Sequence, residues 1–293
     1  MNNLRGILLI TAAMAAFSIE DSFIKFLTAS LPQGQVLGML GLGGALVFFV
    51  LALRNRTNVF ARSAFKPVLV WRTLSEGLAA TFFVLSLSLV PLSTVAAVFQ
   101  ATPLAITLGA ALFMGEDVGW RRWSAIIVGF IGVMIIIRPG LEGFQPASLM
   151  VLIAVFAIAA RDLLTRLVPV ETSSTVVSFW GFFILFISSP ILIAFTGAPQ
   201  AVDGVQMGLI TLSVMFGVTG YYMVVVAMRL GEASAIMPFR YTRLIFSLVL
   251  GMAIFGESPD ALTYLGAAII IASGLYTFLR ERQLHRKGAL APS

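Results

Sequence analysis

The 293-residue chain has no cysteine and a single histidine, His285, which lies in a polar stretch near the C-terminal end. Disulfides and thiol chemistry are therefore excluded, although the absence of cysteine does not identify a compartment. A zinc or haem site would need the nitrogen and sulfur ligands that the chain lacks. We therefore predict no metal and no cofactor.

Charge is also scarce, since 11% of the residues are charged and 59% are hydrophobic, with a mean hydropathy of +1.00. A soluble protein has about 25% charged residues, so folding in water would require burial of nearly the whole chain. The net charge of +6 fits the excess of Lys and Arg in cytoplasmic loops of membrane proteins. No basic stripe is interleaved with aromatic residues, which argues against a nucleic-acid partner. The composition indicates an integral membrane protein.

Ten apolar segments reach the length of about 20 residues that a helix needs to cross a bilayer. Short connections between them, such as those around Pro91 and Gly231-Glu232, predict antiparallel helical hairpins. The glycines of residues 38–46 indicate close helix packing. We predict an all-α integral membrane protein with spans at residues 4–26, 34–53, 68–89, 93–114, 120–138, 147–167, 174–195, 206–228, 233–255 and 261–279.

The chain contains an internal repeat. A shift of 141 positions superimposes residues 229–257 on residues 88–116 and aligns Gly256-Glu257 with Gly115-Glu116. One offset that aligns both ends of a half indicates duplication. The first span resembles a signal peptide, but its removal would leave the second copy without a match, so we predict a retained span. The same shift aligns Asp162 with Asp21 and Arg166 with Lys25.

The orientation follows from the loops, because thirteen Lys and Arg residues lie on one side and two on the other. This predicts a multi-pass inner-membrane (plasma-membrane) protein with both termini cytoplasmic. Five spans per copy is an odd number, so the second copy enters the membrane inverted, an architecture typical of secondary transporters. A fused duplication favours a monomer. The predicted units are residues 1–140, residues 141–280 and a polar cytoplasmic tail at 281–293.

Eight charged residues fall within the predicted spans. A charge at the bilayer centre costs about 2.5–3.5 kcal/mol, so these side chains should face the bundle interior or a wet cavity. At about 1.5 Å per residue, Glu76 and Arg240 lie about 12 and 10 Å from the inner ends of their helices, which makes them candidate partners. Arg243 is nearest the midplane. The basic members are Arg72, Arg161, Arg240 and Arg243, and the acidic members are Glu20, Asp21, Glu76 and Asp162.

Two interpretations of these charges remain open: static ion pairs that hold the bundle together, or a substrate path. Arg240 and Arg243 are spaced i, i+3 and share a helix face, and a guanidinium is a natural partner for a substrate carboxylate. Arg72 and Arg161 lie nearer the interface, where local pairing or snorkelling is expected. The candidate gate or coupling charges are Glu76, Arg161, Asp162, Glu20 and Asp21.

Several aromatic and polar residues within spans are candidates for lining a cavity, because a polar tip in an apolar span needs a partner. Packing in the core is the alternative for each. Since neighbouring helical residues point about 100° apart, only one of two adjacent tyrosines faces a given cavity. The candidate substrate-binding residues are Arg240, Arg243, Tyr221, Tyr222, Phe99, Gln100, Trp180 and Tyr241.

The chain resembles the drug/metabolite transporter superfamily, in its ten-helix form with two EamA domains. The resemblance covers nearly the whole length and depends on Pro103 followed by Gly115-Glu116, and on an Ala/Gly/Ile-rich span that ends at residues 132–139. The repeated short-loop Glu is interpreted as structural. The second copy departs from the pattern in having Leu244 where the first has Pro103. Its corresponding positions are Gly256-Glu257, Gly266 and Gly274.

The resemblance implies a bacterial inner-membrane exporter of amino acids, including aromatic ones. It also implies a cavity between the halves near the third, fourth, eighth and ninth helices, which fits Glu76, Phe99, Gln100, Tyr221, Tyr222, Arg240 and Arg243. We therefore expect a secondary transporter that exports small zwitterions or organic anions by alternating access, with or without a coupled proton. The alternatives are a carrier of other metabolites, sugar nucleotides or cationic drugs, a channel, and a membrane-embedded enzyme, for which the spans offer no nucleophile–base or metal constellation.

Overall fold

The computed structural model describes residues 3–115, 119–141, 144–169, 171–230 and 237–289. Within these ranges the regular structure is helical, and ten segments are long and apolar enough to span a membrane, as the sequence predicts. A 3-10 turn at Arg62–Phe65 precedes the third span. The first half consists of α1 (Asn3–Thr28), α2 (Gln33–Arg54), α3 (Pro67–Leu89), α4 (Leu92–Phe99), α5 (Thr102–Phe113) and α6 (Trp120–Ile137).

The second half begins with Ser148 and agrees with the predicted bounds to within a few residues where it is described. The predicted tail at 281–293 is helical as far as Ala289, as a continuation of the last span. Glu116, the link at Gly231-Glu232 and the predicted start of the ninth span lie outside the described residues. The elements are α7 (Ser148–Arg166), α8 (Ser174–Thr196), α9 (Gly204–Leu230), a 3-10 turn (Met237–Tyr241), α10 (Thr242–Phe255) and α11 (Ala261–Ala289).

The fourth and ninth spans are both interrupted at matching places. The fourth breaks between α4 and α5, and the ninth passes through the 3-10 turn before α10 begins. At each break a threonine hydroxyl donates to the carbonyl oxygen of a phenylalanine three residues earlier, Thr102 to Phe99 and Thr242 to Phe239, both at 2.6 Å. A proline also lies at each break, since Pro103 directly follows Thr102 and Pro238 directly precedes Phe239, and proline has no backbone N–H to donate to the helix ladder.

The two breaks also refine the internal alignment. The Phe-x-x-Thr patterns lie 140 positions apart, whereas Gly115 and Gly256 lie 141 apart. The second copy therefore carries one additional residue between the break and the glycine. When the two copies are aligned at the break, the residue that corresponds to Pro103 is Arg243 rather than Leu244.

The halves are interleaved. α3 packs against α7, and α9 packs against α1, so the third span of each half contacts the first span of the other. α2 packs against α8, α4 against α10, and α6 against α11. Exchange of the two halves leaves this set of pairs unchanged, which is the arrangement expected of a duplicated unit. The largest buried cluster extends through the centre and includes Leu87, Leu92, Leu104, Val133 and Ile270.

Glycines allow α2 and α8 to approach closely, as the sequence predicts. A Cβ added at Gly41 would lie 2.5 Å from the backbone nitrogen of Phe186, and one added at Gly38 would lie 2.7 Å from the Ser189 hydroxyl. Real Cβ atoms do not approach other atoms so closely, so a larger residue would push the helices apart. Small residues at such seams are typical of membrane helix packing.

The repeated Gly-Glu pair has a structural role in the second half. Gly256 ends α10 with a φ of 62°, as Gly115 follows α5 with a φ of 65°. This left-handed turn directs Glu257 back into the protein, where its carboxylate accepts the backbone N–H groups of Leu92 at 2.6 Å and Ser93 at 2.9 Å. The second half thus caps the first helical segment of the fourth span, α4.

Lys25 completes this cap. Its ammonium group donates to the carbonyl oxygens of Val90 at 2.7 Å and Leu87 at 3.2 Å, and it lies 3.7 Å from the Glu257 carboxylate. The same side chain therefore satisfies carbonyls at the end of α3 and balances the charge of the residue that caps α4.

Candidate functional site

One cluster of charges joins α3 to α7. The carboxylate of Glu76 accepts from Arg161 at 2.8 Å and from Arg72, one turn away on α3, also at 2.8 Å. Arg161 also bonds to its neighbour Asp162 at 2.7 Å. Arg72 pairs locally, as expected, and is buried rather than snorkelling. Two positive and two negative charges balance within this cluster.

The expected pairing of Glu76 with Arg240 is wrong in this structure. Both oxygens of Glu76 are taken by guanidinium groups, one from α3 and one from α7. Depth along a helix fixes the height of a charge but not the direction in which it points, and α3 faces α7. The interpretation of these charges as static ion pairs therefore fits Glu76 and Arg161, which join α3 to α7, and Asp162, which bonds to Arg161 within α7.

A second group of charged and aromatic side chains surrounds Arg243, near the start of α10. Its guanidinium lies 2.7 Å and 3.0 Å from the two oxygens of the buried Asp21 on α1. Three rings lie within cation–π distance, at 5.4 Å for Phe17, 5.7 Å for Phe83 and 5.2 Å for Phe99. Arg243 is thus neutralised by the first half of the chain and enclosed by phenylalanines.

Phe17 and Phe83 were missing from the sequence-based candidates. Phe17 is four residues before Asp21 and therefore shares its face of α1, a spacing that the sequence shows. For Phe83, one of 24 phenylalanines, no sequence signal distinguishes it from a core residue.

Glu20 differs from the other carboxylates within spans. Its carboxyl carbon would lie 2.8 Å from a Cβ added at Gly217 on α9. In the part of the chain that the structure describes, no basic side chain lies within ion-pair distance of it. The internal shift of 141 aligns Glu20 with Arg161 and Gly217 with Glu76. Where the contact between α3 and α7 has an ion pair, the equivalent contact between α1 and α9 therefore has a carboxylate against a glycine.

Arg240 lies in the 3-10 turn that precedes α10. The charged groups that act on it most strongly are Asp162, Arg161 and Arg243, so it stands between the two charged groups described above. Within the described ranges its guanidinium has no ion-pair or hydrogen-bond partner at bonding distance. Of the four arginines within the spans, Arg240 is the one whose guanidinium N–H groups are not bonded to a carboxylate.

Tyr241 and Gln100 occupy the two breaks. The Tyr241 hydroxyl is buried against Gly274 on α11 and, among the described residues, makes no hydrogen bond. Gln100 is buried and follows the last residue of α4. The broken segment of the ninth span therefore presents both an unpaired cation and an unsatisfied hydroxyl.

The remaining aromatic candidates lie elsewhere. Trp180 donates to the carbonyl oxygen of Val59 at 2.8 Å and holds the loop between α2 and α3. Tyr221 packs edge-on against Phe48 at a ring-centroid distance of 5.8 Å, and Tyr222 is 68% exposed. Of the aromatic candidates, Phe99 is the one that joins the Arg243 site.

An apolar cavity of about 240 Å³ lies between α5 and α7. No charged side chain lines it, so it is separate from the Arg240 and Arg243 groups. It is lined by Ala105, Leu108, Gly109, Leu112, Phe113, Phe156, Ala159, Ala160 and Leu163.

The EamA-like transporter family matches this sequence twice, at residues 4–138 and 145–279. The chain belongs to the EamA-like transporter family. The resemblance found in the sequence is confirmed, and with it a multi-pass membrane protein that is a transporter and not an enzyme.

Characterised relatives are similar over almost their whole length. The chain is 28% identical to a riboflavin transporter of Rhizobium johnstonii, over 97% of this chain and 94% of that protein. It is 26% identical to an S-adenosylmethionine uptake transporter of Rickettsia prowazekii, over 96% and 94%. It is 22% identical to the pseudopaline exporter CntI of Pseudomonas aeruginosa, over 92% and 94%. These relatives support transport of small metabolites.

One crystal structure superimposes on 96% of this chain and 98% of its own, with a TM-score of 0.61 at 18% identity. At that level of identity the likeness shows the fold. It agrees with ten spans over the length of the chain.

Proposed function

We propose that this transporter moves carboxylate-bearing small metabolites, with amino acids including aromatic ones favoured, out of the cell by alternating access between its two halves. The substrate carboxylate binds Arg240. One observation carries this assignment: Arg72, Arg161 and Arg243 are held by carboxylates at 2.7–2.8 Å, and Arg240 is not.

The surroundings of Arg240 favour an anion. It directly precedes α10, and the N-terminal end of a helix carries a partial positive charge. Half-helices that end near the middle of a span are the usual site of substrate binding in inverted-repeat transporters. The Tyr241 hydroxyl lies next in the chain and has no partner among the described residues. A bound carboxylate would neutralise the cation.

Two of the ion pairs that connect the halves serve in this proposal as gates. Glu76 and Asp21 belong to the first half, and their partners Arg161 and Arg243 belong to the second. If the halves rock about the site, these contacts must break or shift as access alternates. Asp162 stays with Arg161, on its own helix, and would move with it.

The proposed substrate class rests on the phenylalanines around Arg243, three residues after the anchor. The rings of Phe83 and Phe99 have centroids 5.0 Å apart and offer an apolar face to an aromatic side chain. In this proposal the protein is a monomer in the inner membrane with both termini cytoplasmic.

A second candidate function is uptake of a larger metabolite with a planar ring. It is favoured by the similarity to proteins named for riboflavin and S-adenosylmethionine uptake. Both compounds carry a heteroaromatic ring system that suits the phenylalanine group around Arg243.

The test is transport into proteoliposomes with labelled aromatic and aliphatic amino acids, riboflavin and S-adenosylmethionine, in both directions. We expect saturable counterflow for at least one carboxylate-bearing compound. Arg240→Gln should lower its transport efficiency by about 10- to 100-fold, the value of a charge-assisted hydrogen bond of about 1.5–3 kcal/mol. Arg62→Gln, in the loop before α3, is the control. Wild-type transport of every carboxylate-bearing compound by Arg240→Gln would refute the anchor.

A further inference from the structure

The four carboxylates within spans do not have equal surroundings. Asp21 bonds to Arg243, Glu76 to Arg72 and Arg161, and Asp162 to Arg161. Glu20 is adjacent to Asp21 in the sequence, yet the described part of the chain gives it no basic partner. A lone ionised carboxylate within a bilayer is costly, and such groups mark proton relays and ion paths.

The internal repeat explains why Glu20 has room to be unpaired. Its counterpart in the second half, Arg161, faces Glu76 on α3, whereas Glu20 faces Gly217 on α9. A Cβ at position 217 would meet the Glu20 carboxylate, so this glycine makes space for the group. Duplication has thus produced two equivalent positions, of which one holds a paired charge and the other a carboxylate that faces backbone.

The charged groups around Glu20 do not neutralise it. Its neighbour Asp21 repels it and Arg243 attracts it, but Arg243 is already bonded to Asp21 at two oxygens. With Glu20 ionised the three side chains sum to one negative charge, and with Glu20 protonated they sum to zero. The other titratable residues on elements that pack against α1 are Tyr221, Tyr222 and Arg229 on α9, Arg72 and Glu76 on α3, Arg54 at the end of α2, Arg240 and Tyr241 in the 3-10 turn, and Arg5 and Lys25 on α1 itself.

We propose that Glu20 is the proton-binding site through which this transporter couples substrate movement to a proton gradient, a role that rests on the proposed carrier function. The carboxylate takes one proton from the aqueous phase on one side and returns it on the other. Protonation removes the excess negative charge beside Asp21 and Arg243. α1 and α9 belong to different halves and meet at Glu20 and Gly217. The charge of Glu20 therefore changes the stability of a contact that must shift when the halves rock.

The first measurement needs no transported substrate. Purified wild-type protein and Glu20→Gln are titrated across neutral pH in lightly buffered detergent solution with a pH-sensitive dye. The wild type is expected to bind one proton more than Glu20→Gln. Glu171→Gln, which removes an exposed carboxylate in the loop before α8, should titrate as the wild type does. Equal proton binding by the wild type and Glu20→Gln overturns the proposal.

The second measurement uses proteoliposomes and any compound that shows counterflow. Glu20→Gln should retain counterflow at equal pH on both sides and lose the response to an imposed pH gradient, whereas Glu20→Asp should keep part of it. Retention of the full response by Glu20→Gln contradicts the proposal. The role of Arg240 is tested separately by the transport of Arg240→Gln. If Arg240→Gln loses transport while Glu20→Gln binds as many protons as the wild type, only the coupling site is refuted.

Discussion

Glu76 on α3 and Arg161 on α7 form an ion pair at 2.8 Å that crosses from the first half of the chain to the second. Both side chains are largely buried, and each also bonds to a further charge on its own helix. The contact therefore belongs to a closed network and does not leave either charge available to a substrate.

This pair predicts a strong thermodynamic coupling. Removal of one partner of a buried pair costs about 3–5 kcal/mol, because the other charge is left uncompensated. Glu76→Gln and Arg161→Gln should each lower the stability in detergent by an amount of this order, and the double variant should lose less than the sum. Thermal unfolding followed by tryptophan fluorescence measures this. The control cycle, Glu76→Gln with Arg240→Gln, should be additive, and the reverse pattern would show that the network is misassigned.

Removal of the cap that Glu257 provides to α4 should destabilise the protein more than removal of an ordinary helix cap does. Glu257→Ala removes two charge-assisted hydrogen bonds and the counter-charge of Lys25, so we expect a loss of about 2–4 kcal/mol. Asp203→Ala is the matched control, since Asp203 accepts the N–H of Gln206 at 2.7 Å at the exposed start of α9. That variant should lose about 1 kcal/mol. Equal losses in chemical unfolding would contradict a cap that joins the halves.

The close approach of α2 and α8 predicts opposite effects for two glycine substitutions. Gly41→Ala places a methyl group against the backbone of Phe186 and should cost about 1–3 kcal/mol as overpacking. Gly208 on α9 has open space at its Cβ position, so Gly208→Ala should stabilise by up to about 1 kcal/mol through helix propensity. The melting temperatures of the two variants in the same detergent test this prediction. A higher melting temperature for Gly41→Ala would refute the close contact between α2 and α8.

The pair of Arg138 and Asp260 predicts an acid-dependent contribution to stability. The hydrogen bond from Arg138, together with those from Thr263, lowers the pKa of Asp260 to about 2, against about 3.9 for an unfolded chain. A depressed folded-state pKa contributes stability that is present above pH 4 and is lost as the pH falls towards about 2. The melting temperature of the wild type should exceed that of Asp260→Asn near neutral pH, and the difference should shrink below about pH 4. The effect should be small because Asp260 is half exposed, and a difference that grows with acid would contradict the sign.

The helices were predictable from the sequence because long apolar runs bounded by turn residues leave few alternatives in a bilayer. Nine of the ten spans are described at both ends, and these ends fall within a few residues of those predicted. The breaks in the fourth and ninth spans lie beside Pro103 and Pro238, and a proline within a span interrupts the helix because it has no backbone N–H to donate. The inverted orientation of the second half stays a prediction.

The charged residues of the site were predictable, but most of their partners were not. Glu76 and Arg240 lie at a similar depth along their helices, which suggested that they form a pair. In the structure α3 packs on α7, and Glu76 therefore pairs with Arg161. Two oppositely charged residues at one depth can be joined only when the faces of their helices are known. Trp180 shows the same limit, since an amphipathic ring in a span can face a loop as well as a cavity.

The central claim is that Arg240 holds the carboxylate of the substrate, and a cycle between protein and substrate tests it most directly. Counterflow of a transported compound and of its carboxamide analogue is measured for the wild type and for Arg240→Gln. The wild type should prefer the carboxylate by about 10-fold or more, the value of a charge-assisted bond, and Arg240→Gln should treat the two compounds alike. An undiminished preference in Arg240→Gln would contradict the account.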